Sequence, residues 1–341
     1  MLRRSLFLVA AVAALALVPA ATADGGGPSP GVTQAWDGVT NAAGDVRYVS
    51  VPADTGTVVE AIRTVDGRVL TFNAAAGAFG IPLVAQDGTT GGLSADGKTL
   101  VLADATPGAP LRTVSHFLVY DTKQLQNGPM SFELAGDFGY DALSPNGRTL
   151  FLIQHVDQQN TLRYIVRAYD LQQGRLLPQR IADRTQKGWV MQGYPMTRAT
   201  SADGRFVYTL YTNPGGYPFV HALDTVTMTA HCIGVPWKGG TDQAALWNVR
   251  LSLHHGDRQL ALNWRSGRPY LAIDTHSYRI SRPHAAFAWA PVLGGSLGGV
   301  ALLLAGGFLL RRRRRAVPAA GEFEAFLREQ RERETLGAAG D

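Results

Sequence analysis

Short apolar runs, each introduced by a tight polar turn, recur along most of the chain. Residues 99–103 (Thr-Leu-Val-Leu-Ala), 149–153 (Thr-Leu-Phe-Leu-Ile) and 206–211 (Phe-Val-Tyr-Thr-Leu-Tyr) are apolar or aromatic at successive positions rather than alternating. A strand of that composition is buried on both of its faces. Each run follows a turn of one design: Leu-Ser-Ala-Asp-Gly-Lys at 93–98, Leu-Ser-Pro-Asn-Gly-Arg at 143–148 and Thr-Ser-Ala-Asp-Gly-Arg at 200–205. Asp-Gly and Asn-Gly suit hairpin turns that need positive φ, so each turn is predicted to join a first strand to a second. Weaker copies lie at 41–49 and 251–260. With Asp45, Asp96, Asn146, Asp203 and Asp257 as markers, the intervals are 51, 50, 57 and 54 residues.

A second phrase keeps step with the first: Val119-Tyr120-Asp121-Thr122, Ala168-Tyr169-Asp170-Leu171, Ala222-Leu223-Asp224-Thr225 and Ala272-Ile273-Asp274-Thr275, with Ala61-Ile62-Arg63-Thr64 in the first unit. Each unit therefore reads as four short strands. One four-stranded sheet cannot bury both its faces alone, so units of this length must stack on one another, and radial stacking makes a β-propeller. The predicted fold is all-β: a propeller of about five four-stranded blades, with a cryptic sixth as the alternative because the first and last units are degraded. The paired phrases resemble the repeats of YVTN-type and TolB-like propellers over about residues 33–283. The resemblance implies the fold; propellers of this kind serve as binding scaffolds, hydrolases and envelope components alike, so it does not imply one activity.

The chain ends add a topology. Arg3 and Arg4, the apolar stretch 5–18 and Ala21-Thr22-Ala23 have the three-part form of a secretory signal peptide, with cleavage expected after Ala23. Residues 24–32 read as a linker. From Ala285 to Leu310 no residue is charged, and the 19 residues after Pro291 would rise about 28 Å as a helix, close to the ~30 Å hydrocarbon core. A single transmembrane helix is expected within 284–310. The five arginines 311–315 favour the cytoplasmic side, which leaves the propeller outside and 311–341 as a short internal tail at the cell membrane.

Charge changes meaning once these ends are set aside. The formal net charge is +5, yet residues 24–283 hold 22 basic and 21 acidic side chains. Nucleic acid is not an expected partner. The balance is polarised along the chain, with 7 basic and 13 acidic groups in 24–150 against 15 and 8 in 151–283. Cys232 is the only cysteine, so no internal disulfide supports the domain and its core must.

Candidate chemistry is sparse. Asp121, Asp170, Asp224 and Asp274 suggest an acidic ring, but they recur where a carboxylate can accept backbone N–H bonds and fix the next turn. His254, His255 and Asp257 form the best metal-like group, on a hairpin turn where neighbours point apart. Gly294-Gly295-Ser296-Leu297-Gly298 spells a nucleophile elbow but falls inside the apolar segment. No cofactor, metal or catalytic group is assigned; the enzymatic alternative is a propeller hydrolase or lactonase with a metal in its central channel. The spacing of Gly294 with Gly298 and of Gly295 with Gly299 would allow two spans to approach as a dimer.

Loop lengths point to recognition instead. The connections 104–115, 155–162, 184–196, 212–218 and 234–245 are long and emerge on one face. Trp189, Tyr194, Tyr217 and Trp237 lie on them, with Trp264 and Arg265 at the matching place in the last unit, and these six are the candidate partner-binding residues. The alternative role for the aromatics is to fold back over the blade ends. Expected partners are another envelope protein or an anionic lipid surface. Parity of the strands also predicts that the last strand ends on the long-loop face, which would turn that face toward the membrane.

Overall fold

The computed structural model describes residues 30–282 apart from Trp36, Pro107, Ala109, Arg184, 186–189, 240 and 241. The expected signal peptide, most of the linker, the apolar segment with Gly294, Gly295, Gly298 and Gly299, the tail and Trp189 lie outside the described residues. Among the described residues no helix is long and apolar enough to cross a membrane. Two short 3-10 helices, Thr122–Asn127 and Ala244–Asn248, are the helical elements among the described residues.

The strands follow the predicted units. After β1 (Val32–Thr33), blade 1 is β2 (Val39–Thr40), β3 (Val46–Ala53), β4 (Gly56–Arg63) and β5 (Val69–Ala76). Blade 2 is β6 (Phe79–Pro82), β7 (Thr99–Asp104), β8 (Val114–Asp121) and β9 (Met130–Ala135), with β1 paired to β6 on its inner side. Blade 3 is β10 (Asp137–Leu143), β11 (Thr149–His155), β12 (Arg163–Asp170) and β13 (Arg175–Ile181), and β14 (Met191–Gln192) adds to β12. Blade 4 is β15 (Pro195–Thr200), β16 (Phe206–Tyr211), β17 (Phe219–Asp224) and β18 (Thr229–Gly234). Blade 5 is β19 (Val249–His254), β20 (Gln259–Trp264), β21 (Pro269–Asp274) and β22 (Ile280–Ser281). Every blade is an antiparallel meander in chain order, the arrangement of a β-propeller.

The recurring turn has one bonding scheme. Ser94 Oγ donates to Asp96 Oδ1 (2.7 Å) and accepts from Thr99 N (3.0 Å), while Asp96 Oδ1 accepts from Lys98 N (3.1 Å). Ser144 with Asn146 and Ser201 with Asp203 repeat it. Gly97, Gly147 and Gly204 carry the required φ of +70°, +68° and +73°. Gly147 is doubly constrained, since a Cβ there would lie 2.1 Å from Thr99 Oγ1 of blade 2.

The second phrase keeps step because it docks on the first. In all five units the residue after the third strand donates its backbone N–H to the marker turn: Thr64 to Asp45, Thr122 to Lys98, Leu171 to Arg148, Thr225 to Arg205 and Thr275 to Arg258. Four of these are threonines whose hydroxyl also donates to a carbonyl of that turn. The aspartates before them are turn formers, as expected: Asp121, Asp170, Asp224 and Asp274 each accept one or two backbone N–H bonds from the next residues. Thr225 is 1 % exposed, so Thr225→Val, which deletes its hydroxyl bonds to Gly204 and Arg205 at constant shape, is expected to cost about 1 kcal/mol. Chemical denaturation checks this, and a change near zero would remove the buttressing role.

Four apolar clusters fill the spaces between successive blades, from blades 1 and 2 around to blades 4 and 5. The predicted two-sided burial holds in the middle blades: Leu100, Val101 and Leu102 are fully buried in β7, as are Leu150, Phe151 and Leu152 in β11. Each such side chain contributes about 1.5–3 kcal/mol. The degraded end units differ. In blade 5 Val249, Leu251, Leu260 and Leu262 face blade 4, whereas Arg250, Ser252, Gln259 and Asn263 on the other face are only partly covered. Burial alternates along β4 of blade 1 in the same way. Among the described residues no hydrogen bond or ion pair joins a strand of blade 5 to a strand of blade 1.

A tie across the centre takes the place of that contact. The first strand of blade 2 is interrupted after Pro82, and residues 83–91 make an excursion closed at its base by a Leu83–Thr90 bridge before Leu93 pairs with Leu100. At its tip Gln86 N donates to Pro195 O of blade 4 (2.8 Å), and Asp87 meets Arg250 of blade 5 at 3.6 Å.

Candidate functional site

Five marker turns lie on one face, so the second-to-third and blade-to-blade connections lie on the other. The long ones, 105–113, 156–162, 182–194, 212–218 and 235–248, belong to blades 2 to 5. Two of them are bolted together by Gln243, whose side chain donates to Asn213 O (3.0 Å) and Gly216 O (2.8 Å) and accepts from Asn213 N (2.7 Å). A third is pinned by buried Asp137, which accepts from Arg112 N (2.8 Å) and sits 3.0 Å from His155 Nδ1.

An aromatic cluster caps blades 4 and 5. Trp237 is 8 % exposed and its indole N–H donates to Asp242 O (2.7 Å). Its ring lies 5.9 Å from Trp264 and 5.4 Å from Tyr270, Tyr270 donates to Pro236 O (2.6 Å), and the Arg268 guanidinium stands over Trp264. Trp237 thus takes the fold-back role and completes the apolar core between these blades. Beside it a groove of about 450 Å³ is walled by Val235, Pro236 and Trp237 and rimmed by Tyr217, Lys238 and Arg282.

Five of the six candidates, all but Trp189, lie among the described residues, and they separate accordingly. Tyr217 (63 % exposed) and Trp237 line the groove, and Trp264 supports it through Trp237. Tyr194 (39 % exposed) is fixed elsewhere, through Thr212 at the start of the 212–218 loop. Arg265 is exposed on the β20–β21 hairpin. Sequence reading missed Tyr270 and Pro236, which lack any repeat signal, and Trp247, 53 % exposed on the 235–248 connection.

A second site lies at the axis on the opposite, marker-turn face. The register of β10 with β11 slips between Tyr140 and Ala142, so Asp141 is a bulged residue. A bulge of this kind re-aims a side chain. Asp141 meets Arg198 of β15: Arg198 Nη2 donates to Asp141 Oδ1, Nη1 to the Asp141 carbonyl, and Nε to Thr209 Oγ1 (2.9 Å). Both side chains are buried, while Asp141 Oδ2 has no hydrogen-bond partner. They line a cavity of about 310 Å³ together with residues of blades 1 and 2 and of the blade 2 and blade 4 marker turns.

Behind the pair, burial pushes the Tyr140 hydroxyl up to about 12, pushes the Cys232 thiol up to about 12 and lowers His221 to about 4. Cys232 is therefore a protonated thiol and His221 a neutral imidazole at neutral pH. Among the described residues no three His, Cys, Asp or Glu side chains are grouped to hold a metal ion. Of the His254–His255–Asp257 group, His254 Nε2 lies 2.9 Å from Ser252 Oγ, and Asp257 Oδ2 accepts from Ala202 N in the marker turn of blade 4.

No family model matches this chain, and no curated protein matches it. Among solved structures it is similar to the β-propeller domain of Cps50 (Swd1) from Myceliophteria thermophila, at 12 % identity over 76 % of this chain and 72 % of that one, with a TM-score of 0.44. It is similar to a putative TolB from Agrobacterium tumefaciens, at 11 % identity over 72 % and 78 % of the two chains and a TM-score of 0.40. A prolyl endopeptidase structure is similar at 10 % identity and a TM-score of 0.43, over 73 % of this chain but 36 % of that one.

Proposed function

We propose that this protein is a membrane-anchored, extracytoplasmic binding module whose long-loop face is held against the bilayer and engages a neighbouring envelope protein. One observation carries the reading: Arg282, the residue after β22, lines the same groove as Tyr217, Trp237 and Lys238. The propeller strand that precedes the uncharged segment 285–310 therefore ends on the long-loop face. Too few residues lie between Arg282 and that segment to swing the domain over. The groove has apolar walls and a cationic rim, a combination suited to the juxtamembrane stretch of a protein partner among anionic head groups. With the domain so placed, the exposed Tyr217 and Trp247 sit at the height of interfacial aromatics.

The orientation is testable in the full chain. With Cys232→Ser as background, one fluorophore is placed at Tyr217→Cys and, separately, at Asn146→Cys on the marker-turn face, and each protein is reconstituted in bilayers carrying a lipid-borne quencher. Quenching is expected to be strong at 217 and weak at 146. Equal quenching, or the reverse order, would sink the proposed orientation.

A further inference from the structure

We propose that the axial cavity beside Asp141 and Arg198 binds a small, neutral, polyhydroxylated solute of about one sugar ring, with a ligand hydroxyl donating to Asp141 Oδ2. The site faces away from the long loops, and the inference is independent of how the protein is anchored.

Three observations converge on it. First, the β10 bulge spends a residue to aim a carboxylate at the axis, whereas Phe138, Tyr140 and Leu143 of the same strand pack in the apolar cluster between blades 2 and 3. Second, that carboxylate is half satisfied. Arg198 occupies Oδ1, and Oδ2 is buried without a donor, which costs about 1–3 kcal/mol or more for a charged group unless something fills the position. Third, the unpartnered oxygen belongs to a residue that lines an open cavity rather than a sealed core. Its volume of about 310 Å³ is at the lower end of the ~300–1,000 Å³ of small-molecule sites, enough for a single ring and not for a chain.

The surrounding chemistry selects the ligand class. Asp141 is the sole carboxylate of the cavity lining, and Arg198 already balances it. A cationic ligand would leave a net positive charge in a buried place, and an anionic one would meet Oδ2 head-on. A neutral hydroxyl donor avoids both. Toward the rim the lining carries the hydroxyls of Thr90, Ser94, Thr200 and Ser201, of which Thr90, Ser94 and Ser201 already donate to Gly38 O, Asp96 and Asp203 and keep only acceptor capacity for a ligand, and Tyr140 contributes an aromatic wall. Carboxylate acceptor, hydroxyl rim and aromatic wall together form a surface for a ring that has hydroxyls at its edge and C–H groups on its face.

The test uses the full chain in nanodiscs and ligand-observed saturation-transfer NMR with D-glucose, D-galactose, D-mannose and N-acetyl-D-glucosamine as probes, and ethanolamine as the cationic comparison. Thr200 is exposed at the rim, so Thr200→Trp obstructs the mouth without touching the core, and Asp141→Asn removes the acceptor. At least one hexose is expected to give a saturable signal that the others compete for. Its affinity should fall roughly tenfold or more in Asp141→Asn and in Thr200→Trp, with the melting temperature of Thr200→Trp unchanged. If Asp141→Asn does not fold, Thr200→Trp decides alone. The proposal is overturned if no hexose saturates, if the signal survives Thr200→Trp, or if ethanolamine occupies the site in place of the sugars.

Discussion

Exchange of Arg198 for methionine is expected to destabilise the propeller by about 3–5 kcal/mol, as for other buried pairs that lose one partner. Arg198 lies on the inner strand of blade 4 and places its guanidinium between Thr209 of its own blade and both the carbonyl and carboxylate of Asp141 in blade 3. The side chains are 5 % and 3 % exposed, so water screens neither. Methionine keeps most of the packing volume and removes the charge, which leaves Asp141 without a donor on either oxygen. The pair as a whole is not an efficient stabiliser, because two ions had to be desolvated to form it. Replacing both, with Asp141→Leu and Arg198→Met, should therefore recover at least half of the loss. Denaturant unfolding of the four proteins, analysed as a double-mutant cycle, gives the coupling directly. A single variant within about 1 kcal/mol of the parent would show that the blade 3–blade 4 junction rests on its apolar cluster and not on this bond.

The difference between what was readable and what was not lies in the range of the interactions. Marker turns are local: Ser94, Asp96 and Gly97 satisfy one another within six residues, so the pattern survives in the sequence and marks five units, and the threonine at 122, 225 or 275 betrays the third strand because it bonds back to that turn, 25, 21 and 18 residues earlier. The degraded repeats of units 1 and 5 go with strands whose burial alternates, one face being only partly covered. By contrast, the 83–91 excursion bonds to Pro195 and Arg250, far away in sequence, and its own residues carry no repeat signal. The bulge at Asp141 is invisible for a different reason: β10 is buried at every position, so one extra residue breaks no alternation that could be read. The loop aromatics were found, but composition alone could not divide Trp237, which folds back, from Tyr217, which does not.

Acidification from about pH 7 to pH 5 is expected to remove about 2 kcal/mol of stability through one side chain, His221. It sits in β17 at 2 % exposure, with Nδ1 3.7 Å from the Cys232 sulfur and Nε2 without a hydrogen-bond partner. Burial is the largest influence and lowers its pKa from 6.5 to about 4; Asp141 and Asp183 pull the other way and do not prevail, and Arg198 adds to the lowering. The unfolded chain therefore takes up a proton near pH 6.5 that the folded chain refuses until about pH 4. Stability contributed by the neutral ring is whole above the unfolded value and is lost progressively as pH falls through that window. Asp183 and Asp224, which bonds from their neighbours hold below the usual carboxylate value against the opposing effect of burial, lose their contribution only at lower pH, so they do not imitate the effect. Phenylalanine at 221 preserves the ring, removes the proton site and eliminates the unpartnered nitrogen. Urea unfolding of the parent and of His221→Phe at several pH values between 7.5 and 5 should give a steep slope for the first and less than half of it for the second. Parallel slopes would mean that the acid sensitivity of this propeller originates in some group other than His221.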